Sequence, residues 1–257
     1  MLKKIISAFS ALFVFIPTTP FAQDVISTDI SAYNTTGTVI EDQVIARFNG
    51  SDAVADITAL GLPSTADIAA LHYVDETTVL FTLKTAAQLE SLAVRANDVL
   101  EWKNGDFTKV VSGSDLGLGP ATGIDALTKN GDALIFSIDT ADTINGVSVS
   151  DSDLLAWSNV SPSAVLLEQS VCGIPFEADL SGVHWLDSGD YLMTFSSTTE
   201  VGGVPSRVGD IMKCNPNTKT VTLHRRFADQ GDSWASVGLD AISQSSLEII
   251  FINSFED

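Results

Sequence analysis

Ile124-Asp125-Ala126-Leu127 recurs as Leu239-Asp240-Ala241-Ile242, and more loosely as Ile68-Ala69-Ala70-Leu71 and Leu180-Ser181-Gly182-Val183. With the last residue of each as anchor, the steps run 71 to 127, 127 to 183 and 183 to 242, or 56, 56 and 59 residues. Self-similarity at a fixed period of this size marks a repeat architecture, in which each unit buries its apolar face only against its neighbours.

Around each anchor the chain reads as four short strands. The second is the clearest: Val79 to Leu83, Leu134 to Ile138, Tyr191 to Phe195, and Ile249-Ile250-Phe251-Ile252. These runs are rich in β-branched and aromatic residues, which fit a pleated surface. Turn residues precede them, as in Lys129-Asn130-Gly131-Asp132 and Asp187-Ser188-Gly189-Asp190. The third strand opens on an acid in three copies, Asp98, Asp153 and Asp210, and a fourth strand follows each. The segment Thr85 to Ala96 has helix-forming residues. Its counterparts carry Asn145-Gly146 and Gly202-Gly203, so the shared conformation is read as an ordered loop instead.

The two ends carry half-repeats. Residues 43–57 match strands three and four only and lead into Leu60-Gly61-Leu62, the counterpart of Leu116-Gly117-Leu118 and Cys172-Gly173-Ile174. Residues 239–252 match strands one and two only. Three whole units and two complementary halves make four units of about 56 residues. This pattern, over about residues 40–252, resembles the β-propeller superfamily, which implies an all-β ring of four blades. The resemblance further implies closure within one blade, N-terminal strands three and four pairing with C-terminal strands one and two. That removes open sheet edges. A fifth blade from 24–42 is a weaker reading, because the segment is Thr/Asn/Gly-rich. A terminal half-blade also allows a strand-swapped dimer beside a monomer. The ending Ile250 to Glu256 is similar to short tails on some exported bacterial proteins and is read here as the closing strand.

Lys3 and Lys4, the apolar run Ile5 to Ile16, and Pro17 and Pro20 form an export signal whose last residue is Ala22. The run is too short to span a membrane. Residues 1–22 are therefore the signal and 23–257 one domain, placed in the periplasm or outside the cell. The whole chain carries 13 basic and 33 acidic residues, a net charge of −20. Such a chain repels nucleic acid and anionic lipid. Export permits a disulfide, but Cys172 ends a fourth strand and Cys214 a third strand. In an alternating sheet those ends lie on opposite faces, roughly 17–20 Å apart, which predicts free, packed thiols.

Alternation along each blade puts the loops between strands two and three on the same face as the blade connectors. Those are the long loops, and long loops on a rigid scaffold are where function usually sits. Acids gather on that face. On the innermost strands, Asp125 and Asp240 fall in opposite blades and point to a candidate channel site for a hard cation such as Ca²⁺. The plainer reading is that each satisfies local backbone amides. Asp153, Asp210 and Trp234 are candidate ligand-face residues, although threefold repetition of the aspartate at 98, 153 and 210 also fits a structural role. His72 and His184 hold matching positions and read either as a metal pair or as packing residues. Trp102 and Trp157 read as packing residues.

No HExxH, P-loop or dinucleotide glycine pattern is present. Gly231-Asp232-Ser233 lacks the following His a GDS-type esterase needs. The reading is an exported, non-catalytic binding module for a protein, glycan or small ligand. The alternatives are a metal-assisted hydrolase or lyase using the channel carboxylates, and a structural envelope component.

Overall fold

The predicted strands pair into four antiparallel sheets of four strands each, and the computed structural model places them as a four-bladed β-propeller. Residues 23–28, 32–33, 39–40, 45–48, 53–55, 60–161, 163–168, 171–230 and 237–245 are described. From the axis outward, the second blade is Ile68–Asp75, Thr78–Leu83, Val99–Lys103 and Asp106–Val111. The third is Ile124–Asn130, Ala133–Ile138, Leu154–Trp157 and Val165–Glu168. The fourth is Leu180–Trp185, Tyr191–Phe195, Asp210–Asn215 and Thr220–Arg226.

The first blade joins the two ends of the chain, but not as two strands from each. Leu239–Ser245 is innermost, Gln23–Thr28 is second, and Ala46–Phe48 and Ala53–Ala55 follow. Ile26 pairs with Ile242 on one side and with Ala46 on the other. This corrects the expected closure: the seat assigned to Ile249 to Ile252 is filled by 23–28. Residues 249–252 lie outside the described residues. It also disposes of a fifth blade, since 23–28 is a strand of the first.

The core is four wedges rather than one centre. Buried apolar residues cluster between blades one and two (Val25, Ile45 and Ala241 against Phe81 and Leu100), two and three, three and four, and four and one (Ile26, Ala46 and Ile242 against Leu192, Ile211 and Phe227). Burial between sheets is what each unit lacks alone.

The opening motif acquires a physical meaning position by position. Its second residue is skipped in the ladder: Ile124 pairs with Ile138 and Ala126 with Ser137, leaving Asp125 unpaired, and Ala69, Ser181 and Asp240 are skipped likewise. A bulge of this kind re-aims the extra side chain. It also frees a carbonyl, which the next blade's neighbour uses. Thr82 Oγ1 donates to Ile124 O at 2.8 Å and Ser137 Oγ to Leu180 O at 3.0 Å, while Ser181 Oγ donates to Leu239 O at 2.8 Å. Each such buried bond contributes about 1 kcal/mol.

The third residue of the motif is Ala70, Ala126, Gly182 or Ala241, all fully buried or, for Gly182, without room for a side chain. A Cβ on Gly182 would lie 2.5 Å from Thr194 Oγ1 and 3.1 Å from Ile242. Gly182→Val is therefore expected to cost about 2 kcal/mol by overpacking, measured by urea unfolding. A change below a few tenths would show that the inner strands are not this close.

The expected ordered loops between strands two and three are two-stranded hairpins, Ala87–Leu89 with Leu92–Val94, Asp142–Ile144 with Val147–Val149, and Thr199–Val201 with Val204–Ser206, and the first blade adds an unexpected fourth, Ala32–Tyr33 with Val39–Ile40. The rejection of helix for 85–96 agrees with this.

The connectors correct a second expectation. Cys172 and Cys214 form a disulfide with Cα atoms 6.3 Å apart. The strand-length estimate failed because the connector does not stay at the rim. Leu116, the repeat counterpart of Cys172, shows why. Its carbonyl accepts from Ala164 N at 2.9 Å, at the start of the next blade's outermost strand. The connector thus descends the flank of the following blade, and Cys172 meets Cys214 beside Val221. The descent turns on a left-handed residue, Gly61, Gly117 and Gly173 having φ of 69°, 84° and 75°.

Candidate functional site

All four bulged residues line one cavity of about 390 Å³ at the long-loop end of the axis. Ala69, Asp125, Ser181 and Asp240 come from the innermost strands. A second tier comes from the residue just after each second strand: Lys84, Asp139 and Ser196. That tier is held by a repeated backbone bond, Lys84 N to Asp67 O at 2.9 Å, Asp139 N to Gly123 O at 3.3 Å, and Ser196 N to Asp179 O at 3.2 Å. Asp125 and Asp240, singled out from the sequence, thus share one space.

On one side Lys84 supplies the countercharge. Its Nζ lies 2.7 Å from Asp240 and 3.2 Å from Asp67. Burial alone would pull the ammonium down, but the bond and charge of Asp240 outweigh it, and the group is held above its ordinary value. Asp240 faces a cation of the protein itself.

On the other side two acids meet. Burial raises the Asp125 carboxyl well above the usual range, and the negative charge of Asp179 raises it further, against the opposing bond from Ser137 Oγ at 2.6 Å. Asp179 Oδ2 accepts from Ser196 Oγ at 2.5 Å, while its buried Oδ1 has no donor. A proton retained by Asp125 would fill that gap, as two close carboxyl groups share one proton where both cannot ionise cheaply. The two halves of the cavity therefore differ, an ion pair on one side and an acid pair on the other.

Several other acids of this face are tied to local backbone, and Asp98 and Asp210 also pair with Lys109 and Arg226. Asp98, Asp153 and Asp210 are at most 2 % exposed. Each accepts from the amide three residues back, Arg95, Ser150 and Arg207, at 3.0, 2.9 and 3.1 Å. The geometry is the same in all three blades and holds the start of the third strand. Asp142 likewise takes Gly119 N and Thr122 Oγ1, and Asp139 takes Gly123 N. Asp153 and Asp210 thus sit beneath the surface on which the sequence reading placed them. Trp234 lies outside the described residues. Among the described residues, no three His, Cys, Asp or Glu side chains form a metal-ligand set.

Lys84 was missed by sequence reasoning, although it holds the same repeat position as Asp139 and Ser196. The repeat was aligned on strands and the long-loop face was read for its acids, so Asp139 was noticed there and the lysine at the same position was not.

The tight-turn end of the axis has a second cavity, of about 430 Å³, lined by His72, Lys129, His184, Trp185 and Gln244 among others. Here the repeat position is His72, Thr128, His184 and Ser243, imidazole alternating with hydroxyl around the ring. Ser243 Oγ accepts from Tyr73 N at 3.0 Å and meets His184 Nδ1 at 3.3 Å. Thr128 Oγ1 accepts from Trp185 N at 3.1 Å and meets His72 Nδ1 at 3.4 Å. The two imidazoles, from opposite blades, face each other with centroids 5.9 Å apart. Tryptophans 102 and 157 pack in or against the wedges, as expected.

No family model matches the chain, and no curated protein matches it in sequence. Among solved structures, it is similar to the extracellular domain of the one component system BT4673 from B. thetaiotaomicron, at 9 % identity and TM-score 0.36, over 79 % of this chain and 28 % of that one. It is similar to YCF48 bound to D1 peptide at 8 % identity and TM-score 0.32, over 78 % of this chain and 70 % of that one. The corresponding figures for streptogramin B lyase are 11 %, 0.33, 78 % and 58 %. The chain spans under a third of the BT4673 domain's length. The propeller assignment rests on the sheet order and wedge packing above. No helix among the described residues is long and apolar enough to cross a membrane.

Proposed function

We propose that this chain is an exported, non-catalytic propeller that binds its ligand in the axial cavity of the long-loop face. One observation carries the reading: four bulges, one per blade, aim their side chains into the same concave space. In every blade the innermost strand spends an irregularity on that space. The lining favours a small ligand, or one side chain of a larger one, with both a cationic and a hydrogen-bonding group. The buried disulfide supports export, since such bonds persist in oxidising compartments. A Ca²⁺-assisted hydrolase or lyase has less support, because Lys84 already neutralises Asp240.

The test is a screen of labelled glycans, peptides and small amines against the wild type and the Asp125→Asn/Asp240→Asn double variant. Binding that weakens at least tenfold in the double variant is expected. A ligand whose affinity ignores both substitutions would move the site elsewhere on the molecule.

Asp125 offers a separate check. Its folded-state pKa is raised, so its contribution to stability is present below the unfolded carboxylate range and lost as pH rises through the folded value. Asp125→Asn keeps a donor for Asp179 and removes the buried charge. The variant should melt higher than wild type near pH 8, by about 1 kcal/mol, and the gain should vanish near pH 4. A variant less stable at both pH values would contradict the shared proton.

A further inference from the structure

We propose that the tight-turn end of the axis binds a first-row transition-metal dication, Cu²⁺ in preference to Zn²⁺, through Nε2 of His72 and His184. The two rings come from opposite blades and converge on the axis, where both line the second cavity. Their centroids stand 5.9 Å apart with an interplanar angle of 23°. To share an ion about 2.0–2.1 Å from each nitrogen, the stacked rings would turn their Nε2 edges toward one another.

The outer nitrogens are already anchored. His72 Nδ1 meets Thr128 Oγ1 and His184 Nδ1 meets Ser243 Oγ, and each hydroxyl is fixed in turn by a backbone amide of the next blade. Metal-binding histidines almost always engage the other ring nitrogen in this way, which sets the ring's orientation and basicity. Each Nε2 has no hydrogen-bond partner among the described residues, and neither is sealed from the cavity. Imidazole pairs suit Cu²⁺ and Zn²⁺, and Cu²⁺ stands higher in the usual affinity order. Water completes the coordination from the cavity.

The charges around the site set a secondary expectation. The Lys129 ammonium acts on His72 and opposes a cation, whereas Asp24 and Asp187 act on His184 and favour one. Lys129→Met should tighten Cu²⁺ binding.

The experiment is titration of the folded, disulfide-bonded protein with Cu²⁺ at pH 7, read by electron paramagnetic resonance and calorimetry, with Zn²⁺ in parallel. Nitrogen hyperfine structure from two imidazoles and one equivalent bound are expected. His72→Gln and His184→Gln should each weaken Cu²⁺ at least about tenfold, and the double variant should lose it. Near-UV circular dichroism on every variant establishes that the ring is intact. If a folded His72→Gln/His184→Gln protein still binds Cu²⁺ with wild-type affinity, or wild type shows no imidazole hyperfine, the proposal is wrong.

Discussion

Replacing Cys172 and Cys214 together by alanine lowers the free energy of unfolding by about 4 kcal/mol, the chain-entropy value for closing a loop of their 42-residue separation. For a domain of this size that is roughly 12 °C in Tm. The bridge is placed to deliver most of this value. It ties the connector of one blade to a strand of the next, across a wedge whose other members are apolar. Cys172 is 2 % exposed and Cys214 fully buried, so reductant alone should leave the native protein intact. The loss appears when reductant is added during urea unfolding, or in the double variant. A difference under about 1 kcal/mol between oxidised and reduced unfolding would mean that the thiols are unbridged, as the strand-length argument had predicted.

Asp24→Ala is expected to cost about 3 kcal/mol, the low end for breaking a buried ion pair, because Arg225 keeps some contact with water. Asp24 sits on the second strand of the first blade and is 1 % exposed. Arg225 Nε reaches it at 2.5 Å, Gln244 Nε2 at 2.9 Å and His224 Nε2 at 3.4 Å. It thus joins the fourth blade's outermost strand and the chain's last described strand to its first. Burial raises its carboxyl, but the bonds from His224 and Gln244 and the charge of Arg225 prevail, and the net shift is downward. A depressed folded pKa gives stability that is present above the unfolded carboxylate range and lost as pH falls through the folded value. The gap between wild type and Asp24→Ala, measured by urea unfolding, should therefore hold from pH 8 to about 5 and shrink below 4. An Arg225→Met background should reduce the effect of Asp24→Ala. Strict additivity of the two would show that the pair is not coupled.

Most of the ring was legible before the coordinates because the repeat writes each strand three or four times. The innermost strand was the easiest, since bulge, small residue and wedge residue occur in fixed order in Ile124-Asp125-Ala126-Leu127. The first blade was misassigned by weighting apolar strength over polar signature. Ile249 to Ile252 is the stronger β run, yet it carries no hydroxyl. Gln23–Thr28 has Ser27 where the other blades have Thr82, Ser137 and Thr194, all fully buried. That hydroxyl is what the second strand needs to reach its neighbour's freed carbonyl.

The site was half visible. Asp125 and Asp240 were found because they break an apolar motif, whereas Lys84 lies one residue past a strand and looks like an ordinary turn lysine. The disulfide was lost for a different reason. Pairing rules describe a sheet, and a connector that runs down its flank obeys none of them.

Asp24 and Gln244 meet across 220 positions of chain. A nascent polypeptide therefore keeps Gln23–Thr28 waiting for this partner until Leu239–Ser245 has emerged. The seam is the last piece to assemble and the first exposed if the ring springs open. Trimming the chain back to residue 238 would strip the innermost seat from a single sheet and leave the other three sheets with every strand they need. Refolding speed, more than final stability, should register how far apart the two lips of that seam are made.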